Sequence, residues 1–179
     1  GRYEESIDSY NKAIELNPDY AEAYVHKGNA LNDLDQYEEA ITNYKTAVEL
    51  KPGYAEAYYN LAVILNKIGK YEAAAYNNQK AIQFRPDYAD AYNNLGIVFE
   101  KLDKVEDAII NFQRAISLRF NFLEARYNLG NVFSVLGRSE EAIKHFELVD
   151  NSMARAQVLE CLYKNKKYQK FNEKLKILV

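Results

Sequence analysis

Apolar and polar positions along the chain follow helical spacing, and the pattern returns at a fixed interval. The stretch AYNNLG at 91–96 sets Asn93 and Asn94 between apolar residues. Asn is a mediocre helix former, because its amide competes for backbone hydrogen bonds. The same phrase recurs as AYYNLA at 57–62 and ARYNLG at 125–130, with AYVHKG at 23–28 as a worn copy. Its second asparagine falls at Asn60, Asn94 and Asn128, 34 residues apart. A period of that length marks a repeat architecture.

Two helical patterns fill each row. Complete rows begin at Ala21, Ala55, Ala89 and Leu123. The first helix carries Tyr24, Tyr58, Tyr92 and Arg126 at its fourth position, and Gly28, Ala62, Gly96 and Gly130 at its eighth. Leu31, Leu65, Phe99 and Phe133 follow at the eleventh. The second helix carries Ala40, Ala74, Ala108 and Ala142, then Ala47, Ala81, Ala115 and Val149 two turns on. Small residues on both helices predict close antiparallel approach, with the large apolar residues filling the space between neighbouring pairs. Pro18, Pro52 and Pro86 end the second helices, since proline removes a donor and restricts the residue before it.

Taken together, these landmarks closely resemble the tetratricopeptide repeat, over nearly the whole chain. The resemblance implies an all-α fold: a right-handed superhelical α-solenoid of antiparallel helix pairs. Three positions depart from the pattern, with Lys27 for Leu, Asn78 for an aromatic and Phe120 for Pro. Each is expected to loosen packing locally without changing the fold. The rows divide the chain into a half repeat at 1–20, repeats at 21–54, 55–88, 89–122 and 123–152, and a divergent helix pair or cap at 153–179.

Both ends carry expectations. Residues 1–20 match only the second half of a row, so the chain reads as a fragment beginning in mid-repeat. The stripe Tyr3, Ile7, Tyr10 and Ile14 is then expected to lack part of its cover, which allows self-association through this half repeat. At the other end, DNS at 150–152 breaks the rhythm, and helices are expected at about 153–164 and 168–178, with Phe171 where Ala is the rule. Seven Lys or Arg and two Glu in 153–179 make this segment basic, as the polar outer face of a solenoid cap or a linker to a further domain.

Composition then removes function classes. The net charge of −3 argues against a nucleic-acid partner, which calls for a basic face. No apolar run approaches the roughly 20 residues that span a bilayer, and no secretory leader is visible. A single cysteine, Cys161, excludes an internal disulfide and fits a reducing, cytoplasmic compartment; between Leu159 and Leu162 it reads as a small buried apolar group. His26 and His145 lie in different rows, and no metal-ligand or nucleophile spacing exists. The glycines stand singly at repeat spacing, so they form no phosphate loop. No cofactor, metal or catalytic residue is expected.

A surface remains. In this family the first helices of successive pairs line the concave side, where partners bind. The resemblance places the second, fifth, sixth, ninth and twelfth residues of each row there. The candidate peptide-binding residues are therefore His26, Asn29, Tyr59, Asn60, Asn93, Asn94, Tyr127, Asn128 and Asn131. An Asn amide donates and accepts at once, so it can hold a peptide unit whatever the side chain; equally, the asparagines can bond between adjacent helices. Tyr59 and Tyr127 are favoured as contacts because a groove-facing aromatic has no evident packing reason. The asparagine row resembles that of the superhelical domain of O-linked N-acetylglucosamine transferases, where such residues hold the substrate backbone. Family members that clamp acidic chaperone tails carry two Asn, matched by Asn29 and Asn60, and three cations, for which Val25, Asp90 and Asn94 stand here. That clamp is therefore not expected. Glu22, Glu56, Asp90 and Glu124 instead line the groove edge, or steady helix N-termini through the dipole. The reading is a non-catalytic protein-interaction scaffold for a neutral or basic segment. A recognition arm of a larger enzyme, such as a glycosyltransferase, is the alternative, and a self-assembling scaffold a third.

Overall fold

A computed structural model describes residues 2–149, 151–164, 167, 170 and 173–175. No strand is present among them, residues 170 and 173–175 are helical, and ten further helices have defined bounds. They are α1 (Arg2–Leu16), α2 (Ala21–Asp33), α3 (Tyr37–Leu50), α4 (Ala55–Lys67), α5 (Tyr71–Phe84), α6 (Ala89–Lys101), α7 (Val105–Leu118), α8 (Leu123–Val135), α9 (Ser139–Phe146) and α10 (Ser152–Lys164). Two compact units result, residues 1–103 and 104–179.

In the first unit each helix packs on the next, and α4 also touches α2 and α6 across the intervening helix. Ala40, Ala47, Ala74 and Ala81 are fully buried, which is what lets helix axes approach closely. Turns after α2 and α4 pass through the left-handed region at Asp35 and Gly69, where Asp and Gly pay least. Pro18, Pro52 and Pro86 sit in the exposed links before the next first helix. Helix α1 buries no side chain completely: Tyr3 is exposed, while Ile7, Tyr10 and Ile14 are half-buried.

Gly28 and Asn78 explain each other. The ring of Tyr44, fully buried on α3, lies so close to Gly28 that an added Cβ would stand 2.7 Å from its Cε1. At the corresponding places one row on, the ring is gone and Asn78 stands opposite Ala62. The smaller side chain leaves room for the methyl. Asn78 is wholly buried, and its Nδ2 has no hydrogen-bond partner, a polar cost of about 1–3 kcal/mol. The departure at Asn78 thus changes what the core holds as well as how tightly it packs.

In the second unit α7 packs on α8, α8 on α9, and α9 on α10. The ring of Phe146 repeats the Tyr44 arrangement over Gly130, at 2.7 Å from a would-be Cβ. Two departures from the repeat form one contact here. Arg126, where Tyr is the rule, is buried and donates through Nε (3.2 Å) and Nη2 (2.8 Å) to the carbonyl of Phe120, which stands where Pro is the rule. The guanidinium also lies over the Phe120 ring. Packing at this junction is therefore held by a charged clamp where looseness was expected.

Helix α9 spans 8 residues against 14 in α3, α5 and α7. The next helix starts soon after, where Asn151 Oδ1 accepts from the amide of Ala154 and caps α10. Cys161 is buried, as expected, with Ser134 as a 3.5 Å neighbour. The expected helix at 168–178 and the Phe171 position lie largely outside the described residues.

His145, half-buried beside the ring of Phe133, has an Nδ1 without a partner. Burial, and then the charge of Arg126, hold its pKa below the ordinary 6.5, with Glu141 opposing weakly. Protonation is disfavoured in the folded state, so the unfolded chain binds more protons below that value and stability falls as pH drops through it. Urea midpoints should decline between about pH 7.5 and pH 5.5, above the carboxylate range. His145→Gln should flatten that window; an unchanged slope would assign it to other groups.

Candidate functional site

Every first-helix candidate of the first unit lies on α2, α4 or α6, a row of helices in which α4 touches both of the others. The sixth-position residues differ sharply in exposure along it. His26 is exposed and stacks on Tyr10, ring centroids 5.7 Å apart. Asn60 is half-buried, and Asn94 is buried.

The asparagines make two separate networks. In the first, Asn29 Oδ1 accepts from the Tyr44 hydroxyl (2.6 Å) and from Asn60 Nδ2 (3.0 Å). The Asn29 Nδ2 and the Asn60 Oδ1 are left facing out, without a bond among the described residues. In the second, Asn94 Nδ2 donates to Asn78 Oδ1 (3.2 Å), and Asn94 Oδ1 accepts from Asn66 Nδ2 (3.3 Å). Both ends of the Asn94 amide are thereby spent inside the protein. The neighbouring Asn93 is buried as well.

Tyr59 does have a packing reason, contrary to expectation. Its ring tilts against Tyr88 at 4.9 Å, and Arg85 lies over the Tyr88 ring at 4.4 Å. Burial raises the Tyr88 pKa to about 12, so the phenol stays neutral. Of the edge acids, Glu22 is bonded by Lys51 Nζ at 2.6 Å, which lowers its pKa. Glu56 and Asp90 are half-buried. Beside the Asn29–Asn60 pair the surface opens into a pocket of about 230 Å³.

The second unit carries its own candidates on α8. Tyr127 is half-buried, its ring 5.6 Å from that of Phe146, so it too is packed. Asn128 and Asn131 are half-buried and Glu124 is exposed.

Sequence reasoning missed Asn66, Tyr44 and Tyr88 as partners of the site, and took Asn78 only as a packing defect. One signal was available. Within a single row Gly gives way to Ala at 62 while the aromatic gives way to Asn at 78, a paired change that implies contact.

No group of three or more potential metal-ligating side chains occurs among the described residues, and no described helix is long and apolar enough to cross a membrane.

Comparison with known proteins agrees with this architecture. A family model described as TPR repeat matches residues 1–34, 28–69 and 63–103, and two described as tetratricopeptide repeat match 89–122 and 123–151. No curated protein matches significantly. Among solved structures the chain is 30% identical to MamA, covering 94% of this chain and 87% of that one at a TM-score of 0.75. It is 28% identical to YrrB, described as a TPR protein with an unusual peptide-binding site, with the same coverage and a TM-score of 0.76. PilF of Pseudomonas aeruginosa, at 16% identity and TM-score 0.82 over 97% and 90% of the two chains, shares the fold.

Proposed function

Because this chain belongs to the tetratricopeptide repeat family, we propose that it is a non-catalytic interaction scaffold that holds an extended segment of a partner protein against the first-helix face of α2, α4 and α6. The observation that carries this is the Asn29–Asn60 pair. The two amides bond each other side to side, and the outward Nδ2 of Asn29 and Oδ1 of Asn60 offer one donor and one acceptor. Those match the C=O and N–H of a peptide unit and ignore its side chain. The similar protein YrrB, with its unusual peptide-binding site, supports the same use.

Asn94 does not fit that role, since its amide is engaged at both ends. The contact region is therefore centred on α2 and α4, with Tyr59 and Tyr88 as its aromatic border. On α8, the half-buried Asn128 and Asn131 are the corresponding polar candidates of the second unit.

A few amide contacts, each worth about 0.5–1.5 kcal/mol net, make short segments micromolar or weaker binders. Unpaired Glu56 favours a neutral or basic segment over an acidic one, and the preference should fade as salt rises. A peptide array followed by calorimetry tests this. Asn60→Ala should weaken binding of the selected peptides about tenfold with the circular dichroism unchanged. An array on which acidic tails bind best, or an Asn60→Ala variant with full affinity, would overturn the reading.

A further inference from the structure

The pocket beside Asn29 and Asn60 has a volume of about 230 Å³. Small-molecule clefts run at about 300–1,000 Å³, so this one suits the head group of a single side chain. Its polar wall is Asn29, Asn32, Asp33, Tyr44, Glu56 and Asn60, and Val63 and Ile64 supply an apolar side. No Lys or Arg lines it.

Two features give it a sign. Glu22, on the same face, is neutralised by Lys51, whereas Asp33 and Glu56 have no ion-pair partner among the described residues. Both carboxylates also act at the Tyr44 hydroxyl, whose pKa is raised by burial first and by Asp33 and Glu56 next. Their fields therefore converge within the pocket.

The corresponding place one row on is lined differently. Val63 replaces Asn29, Lys67 replaces Asp33, and Asn78 replaces Tyr44. There the Asn94 amide is bonded to both Asn66 and Asn78. The Asp33 equivalent, Lys67, is moreover drawn away to Asp35 and the Tyr37 ring. The set of Asn29, Asp33 and Tyr44 beside Glu56 and Asn60 is thus not repeated one row on.

We infer that this pocket receives the guanidinium of an arginine in the bound segment, with Asp33 and Glu56 as its carboxylate partners and Val63 against its methylene stem. The inference rests on the proposed binding of an extended segment, and adds which residue that segment carries. A planar guanidinium presents five donors in a fixed fork, so it can meet two carboxylates and the Tyr44 oxygen together. An ammonium is a compact, strongly hydrated charge that loses more water on entering.

The test uses N-acetyl-arginine amide, and its neutral isostere N-acetyl-citrulline amide, titrated into the full chain and followed by NMR. The arginine compound should shift the side-chain amide signals of Asn29 and Asn60 saturably, and the citrulline compound should not. Asp33→Asn with Glu56→Gln should weaken arginine binding at least about tenfold, leaving the fold intact because neither carboxylate is paired within it. Equal shifts from both compounds, or full affinity in the double variant, would overturn the inference.

A second arm separates this from the proposed function. If array-selected peptides bind and exchange of their arginine for citrulline leaves affinity unchanged, the pocket assignment fails while the scaffold reading stands. If N-acetyl-arginine amide binds as described and no extended peptide does, the pocket stands and the scaffold reading fails.

Discussion

Phe146→Ala should lower the stability of the second unit by about 3–5 kcal/mol, the usual cost of deleting a wholly buried ring. The ring is 1% exposed, touches Tyr127 and covers Gly130. Since a domain is stable by only about 5–15 kcal/mol, loss of the ring should unfold α8–α10 at moderate urea. The complementary variant, Gly130→Val, should cost about 3 kcal/mol through overpacking against the same ring. The informative measurement is the cycle between them. Space freed by Phe146→Ala accommodates the valine, so the second substitution should cost far less in that background than in the parent protein. Additive effects in urea titration would show that the ring and the glycine are not the coupled pair described. The same logic holds for Tyr44 over Gly28, and the chain has carried out that exchange itself at Asn78 and Ala62.

Asn94→Ala should cost about 1–3 kcal/mol of first-unit stability, because it strips the one partner from an Asn78 side chain that is fully buried and already has an unbonded Nδ2. Asn60→Ala should cost about 1 kcal/mol or less, since Asn29 keeps the Tyr44 hydroxyl. The two substitutions look alike on the sequence and differ in consequence. A compensating change sharpens the expectation. With Asn78→Leu added, both halves of the buried polar pair are gone, and replacing both partners by apolar groups is close to neutral. Thermal melts of Asn94→Ala and of the Asn78→Leu, Asn94→Ala double variant would decide it: a double variant less stable than the single would mean that the Asn78–Asn94 bond is not what Asn94 supplies.

These expectations bear on how the binding face should be dissected. A variant replacing Asn60, Asn94 and Asn128 together confounds a contact residue with a structural one. Loss of binding in it would partly report loss of fold. Asn60→Ala alone, and Asp33→Asn with Glu56→Gln, probe the α2–α4 surface while leaving the Asn66–Asn94–Asn78 network whole.

The helices and their pairing were legible from the sequence, because the signals that set them are local. Helical spacing, the alanines at Ala40, Ala74 and Ala142, and the prolines at Pro18, Pro52 and Pro86 all act within a few residues of where they stand. The start of α10 likewise follows from a local group, the Asn151 cap, and DNS marked its place. The two asparagine networks were another matter. Asn60 and Asn94 hold the same position in successive rows, and that position alone does not distinguish them. What does is the residue that each meets on the preceding second helix. Tyr44 is large, and its hydroxyl binds Asn29, so Asn60 stays at the surface with an oxygen to offer. Asn78 is small and leaves a hole, so Asn94 falls into it and spends its amide there. An amide's partners are set by whatever packing brings within about 3 Å. Only the tertiary structure, by laying α4 against α2 and α6 against α5, decided which asparagine binds outward and which holds the core.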